Sequence, residues 1–167
     1  MASFITSYAR LKTITAAQKV MDNYNSGKSN IQFVYADTDS LHCYSPDFKL
    51  PEGLDIDSTK LGAWDHESSF VKAKFLRQKC YIEKELIDEE SYFKGLKKED
   101  KFLYSKDLKK NEFYKLKITV AGMPKGCYQY VNFNNFKIGA SYQGKKQPKN
   151  VKGGVVLSDI DFTIKRC

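Results

Sequence analysis

The sequence predicts an α+β fold: an antiparallel sheet bearing an acidic hairpin, one long N-terminal helix packed on it, and a β-rich C-terminal region. Three observations carry this. A single helical period runs from Phe4 to Tyr24, several two-residue periods follow it, and turn-forming residues stand between them.

The helical period is set by Phe4, Tyr8, Leu11, Ile14, Ala17, Met21 and Tyr24, which recur at three- and four-residue steps. That stripe is expected to pack on the sheet, leaving Arg10, Lys12 and Lys19 to solvent or phosphate. Asn25 to Asn30 ends the helix. Ile31 to Tyr35 and Leu41 to Tyr44 read as the two strands of a hairpin, being rich in β-branched and aromatic residues. Ser45 to Lys60, with Pro46, Pro51 and Gly53, is a connecting loop whose Asp47, Asp55 and Asp57 are read as solvated acids. Trp64 is read as packing and His66 as hydrogen-bonded nearby, because a lone His has no partner ligand at recognisable spacing.

Ser69 to Glu83 alternates as one strand, with Leu76, Gln78, Cys80 and Ile82 on one face and Arg77, Lys79, Tyr81 and Glu83 on the other. The densely charged stretch 84–113 reads as a mobile or partly ordered surface insertion. Tyr114, Leu116, Ile118 and Val120 mark a further strand, and Asn132 to Gly139 a short helix capped by Gly139. A last hairpin turns at Lys152-Gly153-Gly154, with basic Lys145 to Val151 before it and apolar Val155-Val156-Leu157 after it.

Composition bounds the function. A 167-residue chain suffices for one domain with a core, or one domain and an appendage, and 41% hydrophobic residues argue against disorder. No apolar run approaches the roughly 18 residues that a membrane span needs, and no secretory leader is evident, so a soluble cytoplasmic protein is expected. Cys43, Cys80, Cys127 and Cys167 show no Cys-x-x-Cys spacing, which disfavours zinc. A net charge of +8 suits a polyanionic partner such as nucleic acid.

The chemistry gathers at Tyr35-Ala36-Asp37-Thr38-Asp39-Ser40. Two carboxylates one residue apart repel unless solvated, protonated or neutralised by a divalent cation, and Mg²⁺ is held by this kind of hard oxygen donor. An isolated Asp-x-Asp is ordinarily a solvated turn, but the full string resembles the Tyr-x-Asp-Thr-Asp-Ser motif of family B DNA polymerases. Other stretches resemble the protein-primed polymerases of small bacteriophages in the same order: Phe4 to Gln18, Leu61 to Ser68, Leu76 to Ile82 with a Lys-x-Tyr at Lys79 and Tyr81, Ala121-Gly122-Met123, Asn135-Phe136-Lys137, Gly153 to Leu157 and Phe162 to Lys165.

The resemblance implies a palm-type antiparallel sheet over residues 1–120, interrupted by the charged insertion, and a thumb over 121–167. It implies Asp37 and Asp39 as catalytic carboxylates holding Mg²⁺, with Mn²⁺ as a substitute, and DNA contacts from Arg77, Lys79 and Tyr81. Thumb lysines would join them: residues 121–167 carry eight basic side chains, among them Lys145, Lys146 and Lys149, against Asp159 and Asp161. Primer-template DNA is the implied partner. Neither the family's Asp-x-x-Ser-Leu-Tyr-Pro motif nor its Asn-Ser-x-Tyr-Gly motif occurs here. The chain is therefore expected to correspond to the later palm and thumb, to be inactive alone, and to meet dNTP only with the missing part, an upstream polymerase half or terminal protein being further partners. The alternative is a non-catalytic DNA-binding or structural remnant.

Overall fold

The protein's structure, a computed structural model, describes residues 2–96 and 102–166, with the backbone alone for 2–5, 145–147, 149, 159 and 160. It is α+β with strands predominating, and it falls into two compact units, residues 1–68 and 69–167.

In the first unit, helix α1 (Ala2–Asn25) precedes strands β1 (Gln32–Asp37) and β2 (Ser40–Tyr44), an antiparallel hairpin in which Asp37 pairs with Ser40. The helix and the hairpin lie where the periodicity puts them. The face is different. Thr13, Ala16 and Val20 are the buried residues of α1, whereas Tyr8, Leu11, Ile14, Met21 and Tyr24 of the expected packing stripe are exposed. Lys12 is also not left to solvent: its Nζ donates to the Gly62 carbonyl oxygen at 2.6 Å and lies 5.1 Å from the centre of the Trp64 ring. The loop after β2 is held by Trp64, whose amide donates to the Asp55 carbonyl and whose carbonyl accepts from the Asp57 amide, both at 2.8 Å.

The second unit is a four-stranded antiparallel sheet in the order β3-β4-β6-β5, then a 3₁₀ turn and a two-stranded ribbon. The strands are β3 (Phe70–Arg77), β4 (Cys80–Ile87), β5 (Leu103–Asp107) and β6 (Glu112–Val120), with helix α2 (Glu89–Leu96) between β4 and β5. The single strand expected over 69–83 is thus two strands, turned at Gln78-Lys79. That turn has no Gly, Asn or Pro, so Lys79 itself takes the left-handed conformation at φ 52°.

The described part of the charged stretch is ordered: it holds the end of β4, all of α2 and β5, and the start of β6. Within it Glu85 is buried opposite Lys115 in the β4–β6 register, as Glu83 just before it is opposite Lys117. Residues 97–101 of that stretch lie outside the described residues. Aromatic packing fixes α2 on the sheet, with the ring centres of Tyr92 and Phe113 4.9 Å apart.

The other face of β4 and β6 builds the core. Cys80, Ile82, Ile118 and Val120 pack with Met123, Cys127, Val131, Phe136, Tyr142 and Ile164, so residues before and after position 120 share one apolar cluster. The 3₁₀ turn runs Lys125–Tyr130. Over 132–139 a single capped turn forms in place of a helix: Asn132 Oδ1 accepts from the amides of Asn134 (3.0 Å) and Asn135 (3.1 Å), and its carbonyl accepts from the Phe136 amide at 3.0 Å. Strands β7 (Ser141–Val151) and β8 (Gly154–Thr163) form the ribbon, joined at Lys152-Gly153 with Gly153 at φ 99°. Among the described residues no helix is long and apolar enough to cross a membrane.

Candidate metal centre and nucleic-acid interface

The acidic hairpin is built tightly. Asp37 ends β1, and Thr38 and Asp39 form the two-residue turn before Ser40. One oxygen of Asp37, Oδ1, accepts from the Thr38 amide at 3.0 Å and lies 3.2 Å from the Thr38 hydroxyl. That fixes the carboxylate's rotation and leaves its other oxygen outside these two bonds. Asp37 is half-buried and Asp39 exposed. The turn is tied to α1 by Thr13, whose hydroxyl lies 2.9 Å from the Thr38 carbonyl oxygen and 3.1 Å from that of Ala9. Behind the tip, the rings of Tyr35 and His42 meet at 5.4 Å across the hairpin.

Thr13 is the residue that the sequence reading missed. Its signal was present: Thr13, Ala16 and Val20 are spaced for one helical face, but a stripe of small residues is a weaker mark than the aliphatic one beside it.

Two carboxylates with hard oxygen donors suit the protein side of a Mg²⁺ site, an ion that takes one or two carboxylates and completes its octahedron with water and phosphate oxygens. Among the described residues no group of three or more His, Cys, Asp or Glu side chains converges as a metal site. Asp57, in the loop, has its Oδ1 held by the amide and hydroxyl of Thr59, both at 2.8 Å, and by the Lys60 amide, and the Thr59 amide above all lowers its pKa. On β2, burial pushes the Cys43 thiol up to about 11, so it is a poor nucleophile or soft-metal ligand.

The second unit carries the other candidates. Arg77 is half-buried at the end of β3, its Nη1 donating to the Gln78 carbonyl at 3.2 Å. Lys79 is exposed at the turn, and its carbonyl accepts from the Ala121 amide at 2.8 Å. Tyr81 is buried, its ring 5.4 Å from that of Phe75. The hairpin turn therefore separates the three residues in orientation rather than lining them up on one strand face. Lys72 on β3 lies over the Phe133 ring at 4.9 Å. The side chains of Lys145, Lys146 and Lys149 lie outside the described residues; their backbone belongs to β7.

Comparison with known proteins gives relatives of one kind. No family model matches the chain. It is 40% identical over 167 residues to a DNA polymerase of Bacillus phage B103 and 39% to that of Bacillus phage phi29, covering 99% of this chain and 26% of each polymerase. A DNA polymerase of Streptococcus phage Cp-1 is 37% identical over 165 residues and is covered to 23%. The chain thus spans about a quarter of the length of these relatives. Among solved structures, phi29 DNA polymerase complexed with primer-template DNA and incoming nucleotide substrates superposes with a TM-score of 0.70 at 36% identity, over 97% of this chain and 25% of that one. The same polymerase with primer-template DNA alone gives 0.66 at 35% identity.

Proposed function

The chain is related over its whole length to about a quarter of the phi29-type phage DNA polymerases, and from that premise we propose that it is the later palm and thumb of such an enzyme, acting in phage-type DNA replication. The observation that carries this is the continuous likeness, at 36% identity, to a polymerase solved with primer-template DNA and nucleotides. On this reading residues 1–120 serve as palm and 121–167 as thumb, although the apolar core runs across that boundary.

Asp37 and Asp39 would hold Mg²⁺, or Mn²⁺ in its place. A bound ion pair supplies charge neutralisation at the phosphates and activation of the attacking oxygen. What this chain's own residues do is narrower: Thr38 and Thr13 fix the hairpin tip, and the tip presents two oxygen-donor side chains. A further carboxylate has to come from chain beyond these residues, so the chain by itself should not extend a primer, and dNTP should bind only in its company. An upstream polymerase half and a terminal protein fit that requirement as partners, and a bacterial host's cytoplasm is the compartment such an enzyme implies.

Lys79 and the ribbon lysines supply cations for the sugar-phosphate backbone, and among the described residues no element presents a base-reading helix. Arg77 and Tyr81, being half-buried and buried, would contribute chiefly by shaping the turn that carries Lys79. DNA binding should therefore be indifferent to sequence and fall steeply with salt. The test is a fluorescence titration of primer-template DNA over a salt series. Lys79→Ala should weaken all sequences alike and lower the salt slope by about one unit. Replacing Lys145, Lys146 and Lys149 together by Ala should weaken binding further. An absence of binding at low salt would leave only the alternative, a structural remnant of the polymerase.

A further inference from the structure

We propose that the cleft between α1 and the loop after β2 is a binding site for a small aromatic anion with the chemistry of a nucleoside monophosphate. The cleft lies within the first unit and encloses about 340 Å³. Its described lining residues come from α1 and from 53–64, none from the acidic hairpin. Ligand pockets run from roughly 300 to 1,000 Å³, so this one suits one or two rings and a single phosphate better than a triphosphate.

The walls stand before any ligand arrives. Lys12 Nζ donates to the Gly62 carbonyl at 2.6 Å and lies 5.1 Å from the centre of the Trp64 ring, and Asn23 Nδ2 donates to the Glu52 carbonyl at 3.1 Å. Helix and loop are thus tied at two points about three turns apart along α1. A preformed cleft costs its ligand little ordering. Opposite Lys19 the loop carries Gly53 at φ 79°, and a Cβ there would stand 2.7 Å from Lys19 Cε. The lysine stem occupies the space that a side chain would take, and so brings its ammonium to the rim of the cleft.

Electrostatics select the sign of the ligand. Lys12 and Lys19 lie about two turns apart on one side of α1, and the one carboxylate of the lining, Asp55, is paired with Lys60 at 2.6 Å. An anion is attracted by both ammoniums and a cation repelled. The remaining lining selects the body. Leu11, Ala16 and Leu54 flank the Trp64 indole, a surface that a flat ring covers and that a bare phosphate would leave to water. Only a molecule with both features uses the whole cleft.

Trp64 is the chain's only tryptophan, so its emission reports on the cleft. Titrating the whole chain with dAMP, with excitation beyond the absorption of adenine, should change that emission saturably. Deoxyadenosine and inorganic phosphate should each bind about tenfold more weakly or worse. Lys19→Gln should weaken dAMP about tenfold, the loss of one charge-assisted contact. Thr15→Phe, which fills the cleft from the helix side, should abolish the response. Both positions are exposed, so both variants should fold as the parent does. Lys28→Gln, outside the lining, should bind dAMP as the parent does. Five results would overturn the proposal: no saturable change with dAMP, phosphate alone binding as well as dAMP, a loss in Lys28→Gln equal to that in Lys19→Gln, as general attraction to a chain of charge +8 would give, undiminished binding by Thr15→Phe, or a dA oligonucleotide that acts at lower concentration than dAMP, which would make the cleft part of a strand-binding surface.

Discussion

The hydroxyl of Thr13 lies 2.9 Å from the carbonyl oxygen of Thr38, the residue between Asp37 and Asp39. A buried helix side chain thereby sets where the turn of an acidic hairpin stands. Thr13→Val keeps the shape and removes the donor, leaving a carbonyl short of a partner at a cost of about 1–3 kcal/mol. Thermal unfolding should show that loss, and amide exchange at Thr38 and Asp39 should quicken more than exchange in the second unit. Equal quickening everywhere would mean that the bond does not act locally.

Lys79 occupies a left-handed turn position without being glycine. An L-residue there is strained by roughly 1–2 kcal/mol. Lys79→Gly should therefore leave stability unchanged or raise it by up to about 1 kcal/mol, while Lys79→Ala, which keeps a Cβ, should not. Both remove the cation equally. Matching DNA affinities in the two variants, with different melting temperatures, would separate the charge of Lys79 from its backbone role.

Glu85 and Lys115 are register partners on β4 and β6, with Lys115 Nζ 3.1 Å from Glu85 Oε2. Because Glu85 is buried, removing Lys115 strands a carboxylate, and Lys115→Met should cost about 1–3 kcal/mol in denaturant unfolding. The double replacement Glu85→Leu/Lys115→Met should recover much of that, since the pair then leaves no stranded charge. A double variant as weak as the sum of the singles would show that the two do not interact.

The Tyr114 hydroxyl donates to Glu112 Oε2, and that bond, with burial and the charges of Glu112 and Asp107, pushes the phenol up to about 12. A folded-state pKa above the unfolded value near 10 favours the neutral form in the native state. The contribution is thus complete below pH 10 and is lost as pH rises toward 12. Ultraviolet difference titration of the parent against Tyr114→Phe should place this ionisation near 12, and Glu112→Gln should bring it down. An unchanged titration in Glu112→Gln would exclude the hydrogen bond as its main cause.

The acidic hairpin was legible because β-branched and aromatic runs flank a characteristic string over residues 31–44. The existence of α1 was legible from its three- and four-residue period, but its buried face was not: periodicity marks which residues want burial, and Leu11 and Ile14 are exposed. The turn at Gln78-Lys79 was hidden because neither residue type signals φ > 0, so the alternation was read straight through it. The stretch 84–113 misled by charge. Glu85 within it is buried opposite Lys115, a pairing that only the β4–β6 register reveals. Asn132 misled in the other direction, since an Asn before a short apolar run caps a helix or makes a turn with equal ease.

The β7–β8 ribbon sets a length. Strand β7 has 11 residues, and at about 3.4 Å per residue it reaches at most roughly 37 Å, close to the roughly 34–36 Å of one duplex turn. A ribbon of that reach laid along a duplex would have a footprint of about ten base pairs. Oligonucleotides shorter than this would leave some of its cations without a phosphate, and longer ones would add little beyond statistical choice of position. Affinity plotted against duplex length should then bend near one helical turn, and the bend should disappear when Lys145, Lys146 and Lys149 are replaced.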